Sequence, residues 1–521
     1  MTAPRDQAPS RSRHGSLPVS DPFPPPGPSD DPRSLDRALR VALQQHGDRL
    51  AVSDPGVALS YRELDQQARQ LAAGLPAAAT GDRLRVGITL GNTAHFVLAY
   101  LAVLRAGAVP FLLDAATGPA ALAAVVHECG LDLLLQEPEA APPPDSRAAR
   151  WPGAGAALAT GPRRRPALRA DTAVCRFTSG STGTPKCIEF SAAAVLRAAA
   201  NWTLGTGLTG QDRVLSLASP ANGLAFNTAL NPLLLAGGQL HLERGLPTAG
   251  RAARALQRTR ATRLVAFPAL YESFVRRPVA PDAFTSLRMA VSSAAPLRSD
   301  TRQAFTELSG VALIDYYGAA ETGPLTFAGT DRQSGLGLPL PGVEIRAGSC
   351  ASETAPIEVR SESMGSGYLN APGAFAERMT PDGYYRTGDA GFLGPTGLHL
   401  TGRTDRVVNV GGRKVDANAV EAALDGLTGV RDAVVLEVPD QHGAGTVAAV
   451  FEADTPVALA TVHAHVADRL AAYQIPSLIR TLPALPRGST GKVRTAQLAA
   501  LFEPTSADAP QEHSGGPRDD H

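Results

Sequence analysis

The sequence predicts an α/β protein of layered helices and strands that ends in a smaller α+β unit. Three observations carry that prediction. Helical and strand patterns alternate from Tyr61 to Ser292, as they do in α/β layers. The pattern restarts after Gly402 and runs for about a hundred residues, a normal domain size. The chain of 521 residues is also too long for one small core, so two or three domains are expected.

Taken in order, residues 1–33 are rich in Pro, Ser and charge. They bury too little apolar surface to offset ordering and read as a disordered tail, as do residues 503–521. Tyr61 to Leu75 places Leu64, Ala68, Leu71 and Leu75 at helical spacing. Leu84 to Leu90 alternates like a strand, Phe96 to Arg105 reads as a buried helix, and Val109 to Leu113 as a strand. The polar stretch from Glu137 to Arg165, with the run Pro142-Pro-Pro144 and Arg163, Arg164 and Arg165, reads as a linker between lobes with solvated arginines. Arg213–Ala218, Arg263–Phe267 and Met289–Ser292 look like buried strands. Beyond Gly402 come a basic turn, a helix at Ala417–Leu427, and strands at Val430–Val438 and Thr446–Glu452.

Composition excludes some functions. Basic and acidic residues both number 49, which removes any global electrostatic case for nucleic acid or an anionic membrane. Cys129, Cys175, Cys187 and Cys350 show no C-x-x-C spacing, so zinc or redox use is not expected and small buried thiols are. The N-terminus lacks the apolar stretch of a secretory signal. The apolar run from Phe96 to Leu113 is interrupted by Arg105, Gly107 and Pro110, and a span needs about twenty mostly apolar residues. A soluble, cytoplasmic protein is expected.

Five segments carry chemistry. Thr178-Ser-Gly-Ser-Thr-Gly-Thr-Pro-Lys186 joins glycines, hydroxyls and a cation. Such a loop can wrap backbone N–H groups and hydroxyls around phosphate oxygens, although a Gly/Ser/Thr turn alone is often structural. It is not a Walker A loop, because Lys186 follows Pro185 and precedes Cys187. Asp315-Tyr-Tyr-Gly-Ala-Ala-Glu-Thr-Gly323 offers an aromatic ring for stacking on a base and Glu321 as an oxygen ligand for Mg²⁺; a surface turn is the competing reading. Asp389, in Tyr384-Tyr-Arg-Thr-Gly-Asp389, can accept a pair of ribose hydroxyls or simply form a turn. Gly402 to Lys414 contains Gly411-Gly412 between cations, either a closely approached backbone or a hairpin turn. Leu485-Pro-Arg-Gly-Ser-Thr-Gly-Lys492 places a lysine on a flexible arm near the end of the chain.

Together and in this order, the five segments resemble the acyl-adenylating superfamily: AMP-forming acyl-CoA synthetases, adenylation domains of peptide synthetases, and firefly-type luciferases. The resemblance runs from about Asp36 to Leu501. It implies a large N-terminal domain of layered sheets and helices at 34–402 and a small, mobile C-terminal domain at 403–502. It implies ATP and Mg²⁺, a small carboxylic acid as substrate, and a thiol acceptor, either CoA or the phosphopantetheine of a separate acyl carrier protein.

The resemblance also assigns roles. Thr178, Ser179, Gly180, Ser181, Thr182, Gly183 and Lys186 match the cradle for the β- and γ-phosphates. Ala294 and Ala295 lie beside the adenine site; Asp315 meets the adenine amino group and Tyr317, ahead of Gly318, stacks on the ring. Glu321 matches the Mg²⁺ ligand, Asp389 the ribose-binding aspartate, Arg403 the nucleotide clasp and Asp405 the hinge. Gly411 and Gly412 match the pantetheine tunnel, and Lys492 the lysine bridging carboxylate and α-phosphate. The catalytic set is Lys492, Glu321 and Thr178. Three departures stand out: Ala320 replaces a common Thr, Ser293 replaces a common Gly, and Ser219–Phe226 lacks the usual histidine or aromatic gate. Asn222, Gly223 and Phe226 are the acid-pocket candidates, with a turn role for Asn222 and core packing for Phe226 as the plainer readings. Capture of the adenylate by an amine, or a degenerate nucleotide-binding scaffold, remain as alternatives.

Overall fold

The computed structural model describes residues 31–502 apart from 77–81, 142, 144, 179–184, 245–247, 296, 330–334, 405, 411–412, 440–444, 467–468, 471–473 and 489–490. The tail expectations for 1–30 and 503–521 therefore lie outside the described residues, as do Ser179 to Gly183, Asp405, Gly411 and Gly412.

Two large sheets organise the N-terminal part. One runs, edge to edge, Leu313–Asp315, Met289–Ser292, Arg263–Val265, Arg213–Ser216, Gln239–Leu242, Leu50–Ser53 and Ala58–Ser60. Its pairs are parallel except the last. The other is mixed, with Arg85–Thr89, Val109–Leu112, Leu133–Gln136 and Thr172–Phe177 parallel at its centre. Arg85–Thr89 is buried at every position, so the alternating pattern read in Leu84–Leu90 does not become a wet face. A central parallel strand covered by helices on both sides has no such face.

Helix Ala94–Arg105 explains how the sheets combine. It is buried from Phe96 to Leu104 and touches strands of both sheets, so it forms a middle layer. Each large apolar side chain it buries stabilises the fold by about 1.5–3 kcal/mol. The preceding helix, Tyr61–Ala73, is started by a capping box between Ser60 and Glu63. Among the described residues no helix is long and apolar enough to cross a membrane.

The stretch Glu137–Arg165 is not a linker. Ser146–Trp151 and Ala154–Ala159 form a hairpin on the edge of the mixed sheet, turned by Gly153 at φ +78°. Arg163 and Arg165 do not face solvent freely but pair with Asp132 at 3.2 and 2.8 Å, tying the hairpin to the core. Small residues supply the strand, and the prolines and arginines around them mask it in the sequence. Cys129, Cys175 and Cys187 are buried as expected, whereas Cys350 is exposed.

A four-stranded antiparallel sheet follows: Val343–Arg346, Ala355–Ser361, Tyr385–Gly394 and Gly397–Arg403. The smaller C-terminal domain has a three-stranded sheet, Val430–Pro439, Gly445–Ala453 and Leu478–Leu482. Helices Ala417–Leu424 and Leu459–Val466 cover one face; Leu485 and Leu498 cover the other. Val407–Val410 pairs antiparallel with Arg413–Asp416.

Candidate active site

The site begins where two parallel strands end together. Met289–Ser292 and Leu313–Asp315 are neighbours with Ser292 opposite Asp315. Open α/β sheets bind ligands outside such carboxyl ends. The chain leaving the first strand supplies Ser293, Ala294 and Ala295; the chain leaving the second supplies Tyr316, Tyr317 and Gly318. The Ser293 hydroxyl donates to the Tyr316 carbonyl at 2.9 Å and ties the two exits together. The glycine-like conformation falls not on Ser293 but on Ala294, at φ +74°. A side chain in that region is strained by about 1–3 kcal/mol, a cost found typically at functional sites.

Asp315 is only 6% exposed, and burial pushes its carboxyl up to about 7, with Arg302 pulling weakly the other way. Tyr317 is buried, and its hydroxyl donates to Asp389 Oδ2 at 2.6 Å. Burial, and then the Asp389 charge, push this phenol well above its ordinary range. Asp389 Oδ1 accepts from Arg403 Nη1 at 3.1 Å. The two residues are cross-strand partners in the four-stranded sheet, which fixes the pairing by register. The candidates for adenine, ribose and clasp thus form one connected group. Each carboxylate oxygen still has a lone pair to offer a ribose hydroxyl.

Glu321 sits at the turn of a short hairpin, Gly318–Ala319 with Gly323–Pro324. Gly318 is needed there, because a Cβ would lie 2.5 Å from the Gly323 carbonyl oxygen. Glu321 Oε1 accepts from the Tyr368 hydroxyl at 2.7 Å, and Lys186 Nζ lies 5.1 Å from the centre of the Tyr368 ring. Tyr368 therefore stands between the phosphate-loop cation and the candidate metal carboxylate. Burial, and next Glu321, push its phenol upward. Thr178 and Lys186 close the base of the loop: Thr178 N–H donates to the Lys186 carbonyl at 3.0 Å, and Lys186 N–H donates to Thr178 Oγ1 at 3.3 Å. Among the described residues no cluster of three His, Cys, Asp or Glu side chains could hold a metal alone. A single carboxylate fits Mg²⁺ nonetheless, since that ion is usually shared between one or two carboxylates, phosphate oxygens and water.

The C-terminal domain reaches this site with its lysine turn. Arg487 braces the turn through Asp432 at 2.6 Å and the Gly491 carbonyl at 3.1 Å. A Cβ added at Gly491 would lie 3.8 Å from the Ala295 methyl, so Lys492, which is exposed, adjoins the residue that borders the two strand ends. Two further contacts hold the arrangement. Asn418 Nδ2 donates to the Arg403 carbonyl at 2.8 Å, and Arg298 Nη1 donates to the Arg431 carbonyl at 2.9 Å.

The acid-pocket candidates lie near strand Thr172–Phe177. Asn222 uses its Oδ1 to cap a short helix at the Leu224 N–H, 2.9 Å away, the turn role that its setting suggests. Phe226 is fully buried against Tyr100, edge to face at 6.0 Å. A Cβ at Gly223 would lie 2.6 Å from Arg176 Nη2. Arg176, which motif reading passed over, is 2% exposed on strand Thr172–Phe177. Its guanidinium lies 4.8 Å from the Phe226 ring centre and 5.5 Å from that of Phe190. Burial lowers its pKa to about 10, so it keeps its proton at neutral pH. Tyr368, Asn418 and Arg176 were all missed because none belongs to a motif. For Arg176 there was one signal, a cation inside an otherwise apolar strand.

Two large layered sheets whose paired strand ends are met by a lysine turn from a small C-terminal domain define the class of fold. The chain belongs to the AMP-binding enzyme family, whose pattern matches residues 39–369, with the AMP-binding enzyme C-terminal domain at 419–492. It is 31% identical to the phosphinothricin tripeptide synthetase PhsC of Streptomyces viridochromogenes over 89% of its length, and spans 45% of that protein. It is 26% identical to a 3-hydroxybenzoate–CoA ligase of an Aromatoleum species, over 88% of this chain and 94% of the ligase. Its fold matches ATP-bound MatB from Rhodopseudomonas palustris with a TM-score of 0.73 at 23% identity, over 89% of this chain and 98% of the other. The acyl-adenylating superfamily and its two-domain α/β fold are thereby established.

Proposed function

We propose that the chain activates a carboxylic acid with ATP and passes the acyl group to a thiol. The observation that carries this reading is the approach of the Gly491–Lys492 turn to Ala295, beside the Asp315, Tyr317, Asp389 and Arg403 group. In the first step a carboxylate oxygen of the acid attacks the α-phosphorus. The bond to the bridging oxygen breaks, and pyrophosphate leaves with the electron pair. Like charges oppose this attack, and Lys492 offers the cation that offsets the charge developing between the reactants. Glu321 would hold Mg²⁺, which would supply further neutralisation of the phosphate charge. Thr178 and Lys186 anchor the cradle for the departing phosphates, with Ser179 to Gly183 completing it.

In the second step a thiol attacks the acyl carbon of the adenylate, AMP leaves and the thiol proton passes to solvent. Lys492 then has to withdraw, so a rotation about Asp405 brings Gly411 and Gly412 to the site as the thiol channel. CoA is the first-choice acceptor, followed by carrier-protein phosphopantetheine. The test is acid-dependent pyrophosphate release over a panel of carboxylates, followed by thioester formation with CoA or a carrier protein. Asp405→Pro is expected to spare pyrophosphate release and impair thioester formation. ATP binding without pyrophosphate release for any acid favours a nucleotide-binding scaffold, and release followed only by amide formation favours an amine acceptor.

A further inference from the structure

Arg176 is a buried cation with no hydrogen-bond or ion-pair partner among the described residues. Other buried arginines have partners in the chain, even where one nitrogen is left over, as Nε of Arg85 is. Arg85 donates to the Cys129 and Pro166 carbonyls at 2.8 and 2.7 Å, and Arg263 pairs with Asp212 at 3.2 Å. The Arg176 guanidinium has no hydrogen-bond or ion-pair partner among the described residues, and its Nε is sealed from solvent without one. Glu321 is within electrostatic reach, but its Oε1 is taken by Tyr368. The two flanking phenyl rings attract the charge without supplying lone pairs for five N–H donors. Buried charge is tolerated where it is paired, so the missing partner belongs to something that enters the pocket.

The surroundings say where the partner comes from. Gly223 is required where the guanidinium lies, since a Cβ there would fall 2.6 Å from Nη2. Phe226 forms an adjoining wall. Both belong to the Ser219–Phe226 segment, the acid-pocket candidate, and this inference rests on that placement and on the proposed adenylation. The anion is not the carboxylate that is activated. That group loses its charge when the adenylate forms, which would strand the guanidinium halfway through the reaction. An anion that takes no part in the chemistry keeps Arg176 paired through both steps.

We infer that Arg176 is a specificity-determining residue that pairs with a second carboxylate on the acid substrate, so that the preferred acids are dicarboxylates of which one carboxylate is activated and the other is retained.

The experiment measures pyrophosphate release by the full chain with ATP and Mg²⁺. It uses aliphatic and aromatic dicarboxylates, each beside its mono-methyl ester. Wild type is expected to favour the free dicarboxylate by on the order of 10²-fold in kcat/KM, as losing one partner of a buried charge pair implies. Arg176→Met is expected to erase that preference, mainly through KM for the diacid, while use of the half-ester persists. Arg176→Lys, which keeps the charge but not the fork, is expected to restore part of it. Binding of ATP to each variant reports whether the nucleotide side is intact, and if Arg176→Met does not fold the lysine variant carries the comparison. Three outcomes overturn the inference while leaving adenylation standing: preference for the half-esters, equal loss of diacids and half-esters in Arg176→Met, or no change in either. If no acid of either kind releases pyrophosphate from an enzyme that binds ATP, the adenylation reading fails first and takes this inference with it.

Discussion

The nucleotide corner and the acid pocket treat charge in opposite ways. In the nucleotide corner the protein supplies both partners. Asp389 is held between Tyr317 and Arg403, and Glu321 is held by Tyr368. These groups are in position before any ligand arrives, so little reorganisation is needed when ATP binds. In the proposed acid pocket Arg176 has no partner among the described residues. A site shared by all members of a family can be preorganised by the protein alone. A site that must tell acids apart gains selectivity by leaving a buried group for the right ligand to satisfy, because the wrong ligand then leaves that group unpaired.

The most severe way to break the comparison is to remove Lys492, the catalytic cation we propose in the C-terminal domain. Lys492→Ala is expected to lower acid-dependent pyrophosphate release by about 10²–10³-fold, the cost of one preorganised donor, with ATP affinity little changed. A folded variant that activates its acid at the wild-type rate would remove Lys492 from the mechanism. Next in size is the nucleotide corner. Asp389→Ala strips Tyr317 and Arg403 of their shared acceptor and is expected to raise KM for ATP by about 10–100-fold, the range for a charge-assisted hydrogen bond. KM for the acid, measured at saturating ATP, is expected to stay near wild type. If both constants move together, the two regions are not separable.

A smaller perturbation tests the acid side. Gly223→Ala places a methyl group 2.6 Å from Arg176 Nη2. Overpacking of this kind typically costs about 1–3 kcal/mol, which thermal unfolding reads as a lower Tm. Displacement of the guanidinium is expected to raise KM for the acid with no change in KM for ATP. A change confined to ATP would contradict the geometry.

The same contrast explains what the sequence made legible. The nucleotide corner was readable because phosphate, adenine and ribose demand particular residue types at short spacings, as in Thr178–Lys186, Asp315–Glu321 and Tyr384–Asp389. The connection of Tyr317 to Asp389 was not, because it depends on how the four-stranded sheet meets the strand exits. Arg176 was invisible for a related reason: whether a cation in Ala173-Val-Cys-Arg-Phe177 has a partner is decided by residues far along the chain. The hairpin within Glu137–Arg165 was misread because proline and arginine content outweighed the small residues of Ala154–Ala159. The α/β class was legible from helix and strand alternation; the order of the layers, and which strands face each other across helix Ala94–Arg105, was not.

The mildest test concerns Asp315, the one carboxyl of the nucleotide corner that burial dominates. Its folded pKa of about 7 lies above the ordinary 3.8, so between those values the folded state holds a proton that the unfolded state has released. The stabilising contribution is complete below the ordinary value and is lost as pH rises through about 7. Asp315→Asn carries no such proton, and its Tm is expected to gain on wild type as pH is raised from about 5 to about 8. Binding adds a second sign. An adenine amino group donates a hydrogen bond, which favours the ionised carboxylate. ATP affinity of the wild type is therefore expected to rise with pH across the same interval, with release of a proton on binding, and the asparagine variant to show neither effect. A wild-type affinity flat across that interval would mean that the adenine amino group finds its acceptor elsewhere, on a backbone carbonyl of the strand exits, and that Asp315 shapes the corner without touching the base.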